Sequence, residues 1–287
     1  MTKYVIITPA RDEGSHLEHT ILSVVGQTLH PIQWIIVNDG SCDNTGEIVD
    51  QYAAQYPWIT PLHRQNRGYR EAGGGVMNAF YDGLELIQSP DWDFLVKLDA
   101  DLIFSTDYFE QCFARFDANP RLGIGGGAIF HNMNGCLVLE DNPRFHVRGA
   151  TKIYRHDCWD QLEGLVRAPG RDTIDELKAN MLGWSTRTFI DVQVTHQRFT
   201  GSEDGAWKDC VKNGRANYIA GYHPLFMLAK CIRRMAAKPY GKAAVALWWG
   251  YLSSFLKRIP QIHDKDLIKY TRNQQMRKLL LLETIWK

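Results

Sequence analysis

Four short apolar runs alternate with amphipathic segments over the first hundred residues, and this alternation constrains the fold more than any other feature. "YVIITP", "WIIVND", "WITPLH" and "WDFLVKLDAD" read as strands. In "SHLEHTILSVVGQ", Leu17, Ile21, Val24 and Val25 recur at helical spacing, and "NTGEIVDQYAAQY" and "GGGVMNAFYDGLELI" read as a second and a third helix. Strands alternating with helices of this length form βαβ units, and near-continuous apolar strands belong to a parallel sheet buried on both faces. The predicted class is α/β, with a Rossmann-like, mostly parallel sheet flanked by helices. Ligands of such sheets bind at the carboxyl ends of the strands. Three of the four strands end there in polar residues: Pro9-Ala10-Arg11-Asp12-Glu13, Asn38-Asp39-Gly40-Ser41 and Asp99-Ala100-Asp101.

The third of these ends is the least expected. Residues i and i+2 of a strand point to one face, so Asp99 and Asp101 would direct two like charges at one spot. Two readings remain open on the residues alone. The strand ends at Leu98 and both acids lie in a loop, or a divalent cation bridges them to an anionic ligand. Mg²⁺ typically takes one or two carboxylates and completes its shell with phosphates. At the second end, Gly40 permits a tight turn and Asp43 or Asn44 can cap the following helix. Neither role accounts for Asp39, a carboxylate at the strand tip that can accept an imide N–H from a pyrimidine base.

Beyond residue 120 the pattern is mixed. "LGIGGGAIF", "ATKIYR" and "FIDVQVTH" read as strands, a helix runs from about Asp172 to Leu182, and the chain is helical from about residue 203 to its end. "GIGGGA" formally matches a dinucleotide fingerprint, but it neither follows the first strand nor opens an amphipathic helix, so it is not read as a cofactor loop. Charge is unevenly placed. Residues 221–287 hold 13 Lys and Arg against Asp264, Asp266 and Glu283, whereas residues 1–220 are net acidic. The predicted division is a catalytic domain over 1–220 and a basic, amphipathic helical region over 221–287. Within the latter, "AAVALWWGYLSSFL" runs 14 residues without a charge, short of the ~20 that span a bilayer. Basic clusters beside amphipathic helices read as peripheral attachment to an anionic membrane surface. The alternative, Trp248, Trp249 and Phe255 packing on the domain or at a dimer contact, stays open. No nucleic-acid motif is present. The early charges Lys3, Arg11 and Asp12 leave no signal-peptide core, and the six cysteines form no CxxC pair. The expected location is cytoplasmic, at most peripheral at the cytosolic membrane face.

"TPARDEGSHLEHTILSVVGQT", "WIIVNDGSCDNT" and "VKLDADLIF", in this order, resemble the nucleotide-sugar-binding segments of family-2 glycosyltransferases with the GT-A fold. The resemblance covers roughly residues 3–200 and implies a UDP- or GDP-type sugar donor with Mg²⁺ or Mn²⁺. It implies that Pro9, Ala10, Arg11 and Glu13 line the nucleoside pocket and Asp39 reads the base. Asp99 and Ala100 would lie by the ribose or metal waters, and Asp101 would ligate the metal. In "RQNRGYREAGGGVMNAF" it places Arg67 near the donor, with Arg64 and Arg70 in the same loop. It expects a catalytic base at the start of a later helix, where "GRDTIDELKANMLGW" offers Asp175 first, Asp172 as the alternative and Glu176 last. The family's Glu-Asp pair is here Ile174-Asp175. His196 would complete the metal shell, and Arg198 would meet the phosphates.

The activity this implies is inverting transfer to a hydroxyl of a glycan or lipid-linked acceptor, in cell-surface polysaccharide or glycolipid synthesis. Two alternatives stand beside it. A sugar nucleotidyltransferase expects a Gly-rich basic loop directly after the first strand, which "TPARDEGSHLEH" lacks. A non-catalytic nucleotide-sugar-binding protein would keep Asp39 and Asp101 without needing Asp175.

Overall fold

The structure is a computed structural model that describes residues 2–68, 74–133, 136–140, 142–166, 171–198, 205–235 and 241–286. Arg70 lies outside the described residues, as does the side chain of Asp172.

The alternation of the first hundred residues becomes β1 (Tyr4–Ala10), α1 (Leu17–Val25), β2 (Gln33–Asn38), α2 (Thr45–Gln55), β3 (Ile59–His63), α3 (Gly74–Leu84) and β4 (Phe94–Leu98). There follow β5 (Leu102–Phe104), α4 (Tyr108–Ala118), β6 (Leu122–Met133), β7 (Cys136–Leu139), β8 (Thr151–Arg155) and α5 (His156–Leu162). The chain ends with α6 (Arg171–Met181), β9 (Ser185–His196), α7 (Ala206–Ile219), α8 (Pro224–Met235), α9 (Lys242–Leu256) and α10 (Lys265–Leu279).

The chain forms two compact units. The first comprises residues 1–142, 146–164 and 183–198, and the second residues 143–145, 165–182 and 199–287. Helices α6 and α7, which the sequence division at residue 220 assigned to the first domain, therefore cluster with the C-terminal helices.

The nine strands of the described residues lie in the first unit, in the order β3-β2-β1-β4-β8-β6-β9-β5, with β7 paired to β6. Strands β3, β2, β1 and β4 run parallel, which brings their carboxyl ends to one edge. Strand β8 then enters antiparallel to β4. Strands β1 and β2 are buried on both faces, Ile6, Ile7, Trp34, Ile35 and Ile36 being fully enclosed, as their unbroken apolar sequence requires. Phe109, Phe113 and Phe116 on α4 complete the core beside Tyr4 and Phe94.

The glycines of "GIGGGA" lie inside β6, and packing explains them. A Cβ at Gly125 would meet the rings of Phe189 and Phe116 at 2.7 and 3.0 Å, and one at Gly127 would meet Tyr108 at 2.8 Å. Gly125 and Gly127 make room for aromatic rings and Gly126 for the Thr151 carbonyl, and the run forms no cofactor loop.

The second unit is helical. Ile174 and Leu177 of α6, Tyr218 and Ile219 of α7, Leu247 and Tyr251 of α9 and Leu267 of α10 share its core with Trp286. Helices α7 and α9 cross at two glycines: a Cβ at Gly214 would stand 2.0 Å from the Leu247 carbonyl, and one at Gly250 would stand 2.1 Å from that of Val211. Among the described residues, no helix is long and apolar enough to cross a membrane.

Candidate functional site

The carboxyl ends of β1 and β2 are laced together by their following loops. The Asp12 amide donates to Ser41 Oγ, the Cys42 amide to Asp12 Oδ1, the Glu13 amide to Thr45 Oγ1 and the Gly14 amide to Asp43 Oδ2, at 2.8 to 3.0 Å. Asn44 occupies the N-cap of α2 without a side-chain bond, and Asp43 instead takes the Thr45 amide at 3.0 Å. Gly40 sits at φ +69°, and a Cβ there would stand 2.5 Å from the Cα of Asn66, so only glycine fits. This rigid seam fixes Asp39 at the strand tip, its amide bonded to the Ala10 carbonyl at 2.8 Å.

Asp39 is buried, and its two oxygens are held separately. Arg64 Nη1 donates to Oδ1 and Arg67 Nη2 to Oδ2, each at 2.5 Å. Arg11 donates to the Asp39 carbonyl at 3.1 Å and to Asn66 Oδ1 at 3.1 Å. A carboxylate offers about four lone-pair directions. The two guanidinium bonds therefore leave Asp39 able to accept another donor. Ala10 is buried beside it at the end of β1, and Pro9 is half-buried.

Asp99 and Asp101 do not share a strand face. Strand β4 stops at Leu98 and β5 starts at Leu102, so both acids lie in the link between them. This is the loop placement that the sequence left open, and each acid has its own protein cation. Lys97, fully enclosed in β4, donates to Asp99 Oδ1 and to the Gly149 carbonyl, both at 2.6 Å. Asp101 Oδ2 is 3.0 Å from His196 Nε2 and accepts from Arg198 Nε at 3.1 Å. Arg198 also pairs with Glu13 Oε1 through Nη2. Ala100 is buried between the two acids.

Burial acts to raise the Asp101 carboxyl, but the hydrogen bonds and charges of His196 and Arg198 outweigh it and hold the group below its ordinary value. Burial dominates at Glu13 and pushes its carboxyl up to about 7, against the pull of Arg198 and with the push of Asp101. Four residues from three elements far apart in sequence thus meet in one charged cluster: Glu13 after β1, Asp101 after β4, and His196 and Arg198 at the end of β9.

His196 pairs in register with His131 of β6, their ring centroids 5.5 Å apart, and His131 Nε2 lies 3.5 Å from Glu140 Oε2. The sequence reading passed over His131, Glu140 and Lys97. Only Lys97 carried a signal: a lysine inside an apolar strand needs an acid within reach, and Asp99 stands two residues on.

Asp175 and Glu176 belong to the second unit. Helix α6 begins at Arg171, so Asp172 is its second residue, and Asp175 its fifth. Asp175 is buried, and its Oδ1 accepts the Glu176 amide at 2.8 Å. Glu176 is completely enclosed.

Among the described residues no group of three or more His, Cys, Asp and Glu is arranged to hold an ion. The donors at hand, Asp101 with His196 and the neighbouring Asp99, would supply only part of a shell. That suits a hard cation whose remaining ligands are phosphates and water, and it does not suit a structural metal.

Residues 5–137 match the model of glycosyl transferase family 2. The chain is 30% identical over 175 residues to an uncharacterized glycosyltransferase of Mycoplasma pneumoniae, a match covering 56% of each. It is 30% identical over 127 residues to the poly-beta-1,6-N-acetyl-D-glucosamine synthase of Staphylococcus aureus, covering 44% of this chain and 28% of that one. These matches span about half or less of the relatives' own length. The fold resembles that of a mannosyltransferase from Pyrobaculum calidifontis solved with GDP-Man and Mn²⁺, with a TM-score of 0.58 and 15% identity, covering 98% of this chain and 76% of that one. The architecture is thus the GT-A type that the sequence resemblance implied.

Proposed function

We propose that the protein is a metal-dependent inverting glycosyltransferase. It moves a sugar from a nucleoside-diphosphate sugar to a hydroxyl of a glycan or lipid-linked acceptor, in polysaccharide or cell-surface glycan synthesis. One observation carries this reading. The three motif segments end on the adjacent parallel strands β2, β1 and β4, so that Asp39, Glu13, Asp99 and Asp101 converge at the sheet edge where ligands of such folds bind.

Asp39 accepts the imide N–H of the base with the acceptor capacity that Arg64 and Arg67 leave. Pro9, Ala10, Arg11 and Glu13 flank the nucleoside, Arg67 stands beside it, and Asp99 and Ala100 lie toward the ribose. Asp101, with His196 and Asp99, would hold Mg²⁺ or Mn²⁺, which when bound supplies charge stabilisation for the departing diphosphate. Asp175 takes the proton from the acceptor hydroxyl as its oxygen attacks the anomeric carbon and the bond to the diphosphate oxygen breaks. A single displacement on one face inverts the configuration. Asp172 is the alternative base, and the enclosure of Glu176 supports placing it last. The basic residues 221–287 support a peripheral station at the cytosolic face of an anionic membrane.

The test is the thermal midpoint of the protein with UDP, GDP, CMP or dTDP nucleotides, each with Mn²⁺ and with EDTA. A nucleotide held at a hundredfold its Kd stabilises by about 2.7 kcal/mol, a shift of several degrees. The expected result is a shift with one nucleoside diphosphate that disappears with EDTA and in Asp101→Asn. A flat response to every nucleotide would remove the roles given to Asp39 and Asp101.

A further inference from the structure

The C-terminal helices leave apolar side chains in water. Helix α9 is uncharged from Ala243 to Leu256. Its buried positions, Ala243, Ala246, Leu247 and Gly250, face its packing partners within the unit. A surface helix ordinarily places polar residues opposite such a stripe. Here the opposite face is Val245, Trp249 and Leu256, spaced four and seven apart and 58, 54 and 66% exposed, with Leu252 half-buried between them. Helix α8, which packs on α9, repeats the pattern at i, i+3, i+7 and i+10 with Leu225, Leu228, Ile232 and Met235, all exposed. Arg233 and Arg234 are exposed on the same helix, and exposed Lys242, Lys257 and Arg258 bracket α9. Between residues 210 and 263 there are nine Lys and Arg and no acid.

We infer that the outward faces of α8 and α9 form a surface that lies flat in the interface of an anionic lipid membrane. Trp249 and the aliphatic stripes enter the headgroup–acyl boundary, and the flanking bases pair with lipid phosphates. The inference rests on the proposed function only in giving the attachment its purpose, presenting the site to a membrane-borne acceptor.

The geometry favours a bilayer surface over other occupants. At 1.5 Å per residue the 15 residues of α9 extend about 22 Å, less than the ~30 Å hydrocarbon core, so the helix cannot cross it. A helix with a Trp- and Leu-bearing face and basic flanks is of the kind that lies in the interface plane. A second copy is disfavoured by charge. Joining α9 to α9 about a two-fold axis would set the bases Lys242, Lys257 and Arg258 of one copy near those of the other, with no acid from 210 to 263 to offset them.

The experiment is co-sedimentation of the full chain with phosphatidylcholine vesicles and with mixed phosphatidylcholine–phosphatidylglycerol vesicles, over a salt series. Binding to the mixed vesicles alone, weakening with salt, is expected. Trp249→Asp with Leu256→Asp should abolish it. Arg233→Gln with Arg234→Gln, both exposed on α8, should weaken it roughly ten- to thirty-fold. The thermal midpoint and the nucleotide-induced shift of every variant are measured alongside and should match the parent. Membrane binding is thereby scored separately from donor binding. Absence of vesicle binding, or binding unchanged in both variants, overturns the inference. So does a concentration-dependent dimer that Trp249→Asp dissolves, which would assign the face to a second copy. If Trp249→Asp fails to fold, the arginine pair decides alone.

Discussion

The sheet edge of the first unit and the outer faces of α8 and α9 in the second break the usual partition of residues in opposite ways. At the sheet edge, carboxylates are buried: Glu13, Asp39 and Asp101 are each no more than 8% exposed. Each is tolerated because a cation from another element reaches it, Arg198 for Glu13 and Asp101, and Arg64 with Arg67 for Asp39. At the helical faces the irregularity is apolar surface left in water, and nothing on α8 or α9 offsets it. Buried charges require partners because desolvation costs several kcal/mol per ion, so the first region had to be completed within the fold. Exposed apolar surface costs far less per residue and can wait for a partner. The first region is therefore poised to exchange internal ion pairs for those of a ligand, and the second to be covered.

The largest expected effect falls on the base proposed above. Asp175→Asn should lower sugar transfer by about 10²- to 10⁴-fold, the usual worth of a positioned base, while leaving the nucleotide-induced thermal shift unchanged. Transfer assays beside the thermal measurement check this. Full activity would return the base to Asp172, and loss of the thermal shift would mean that α6 supports donor binding instead.

Glu13 comes next. Its folded carboxyl sits at about 7 against an ordinary 4.5, so the folded chain binds the proton more tightly than the unfolded chain. The corresponding stability is complete below pH 4.5 and is lost as the pH rises through 7. The swing is on the order of 3 kcal/mol. Glu13→Gln removes it. Urea unfolding from about pH 5 to 8 should show the variant flatter than the parent, with the difference opening toward the alkaline end in the variant's favour. Parallel curves would place the burial cost on another group.

The same contrast explains what could be read from the sequence. Strands β1 to β4 and helices α1 to α3 were legible because a doubly buried parallel strand is unbroken in its apolar residues and a helix repeats every three to four. The polar strand tips were legible for the same reason: an acid after an apolar run has no structural excuse. Spacing along the chain could not show which cation meets which acid. Arg198 lies 185 residues from Glu13, and only the return of β9 to the sheet brings them together. Whether Asp99 and Asp101 lay in a strand or in a loop stayed open because the end of β4 at Leu98, which pairs with Thr151 of β8, is not marked in the residues themselves. The exposed stripe of α9 was hidden for another reason. A helix apolar all round gives no periodicity to distinguish its buried side from its free one.

Lys97 sharpens the comparison from inside the sheet. It reaches its acid from only two residues away, and it also satisfies the Gly149 carbonyl. Lys97→Met keeps the volume and removes both bonds. Asp99, with a third of its side chain exposed, can turn to water, so the loss should be about 2 kcal/mol and not the larger cost of a stranded buried ion. Urea unfolding measures it. A loss within half a kcal/mol would show that Asp99 is already hydrated and that Lys97 neutralises little.

The smallest effect on stability is expected where the surface looks most irregular. Trp249 is more than half exposed and lies opposite the packed face of α9. Replacing it with serine removes little buried area, and serine's lower helix propensity costs a few tenths of a kcal/mol. Trp249→Ser should thus unfold within about 0.5 kcal/mol of the parent, as surface changes usually do. A loss of 2 kcal/mol or more by urea titration would mean that Trp249 packs within the unit in solution. The α9 face would then be part of the fold, and the contrast between a completed site and an uncovered surface would fail on the helical side.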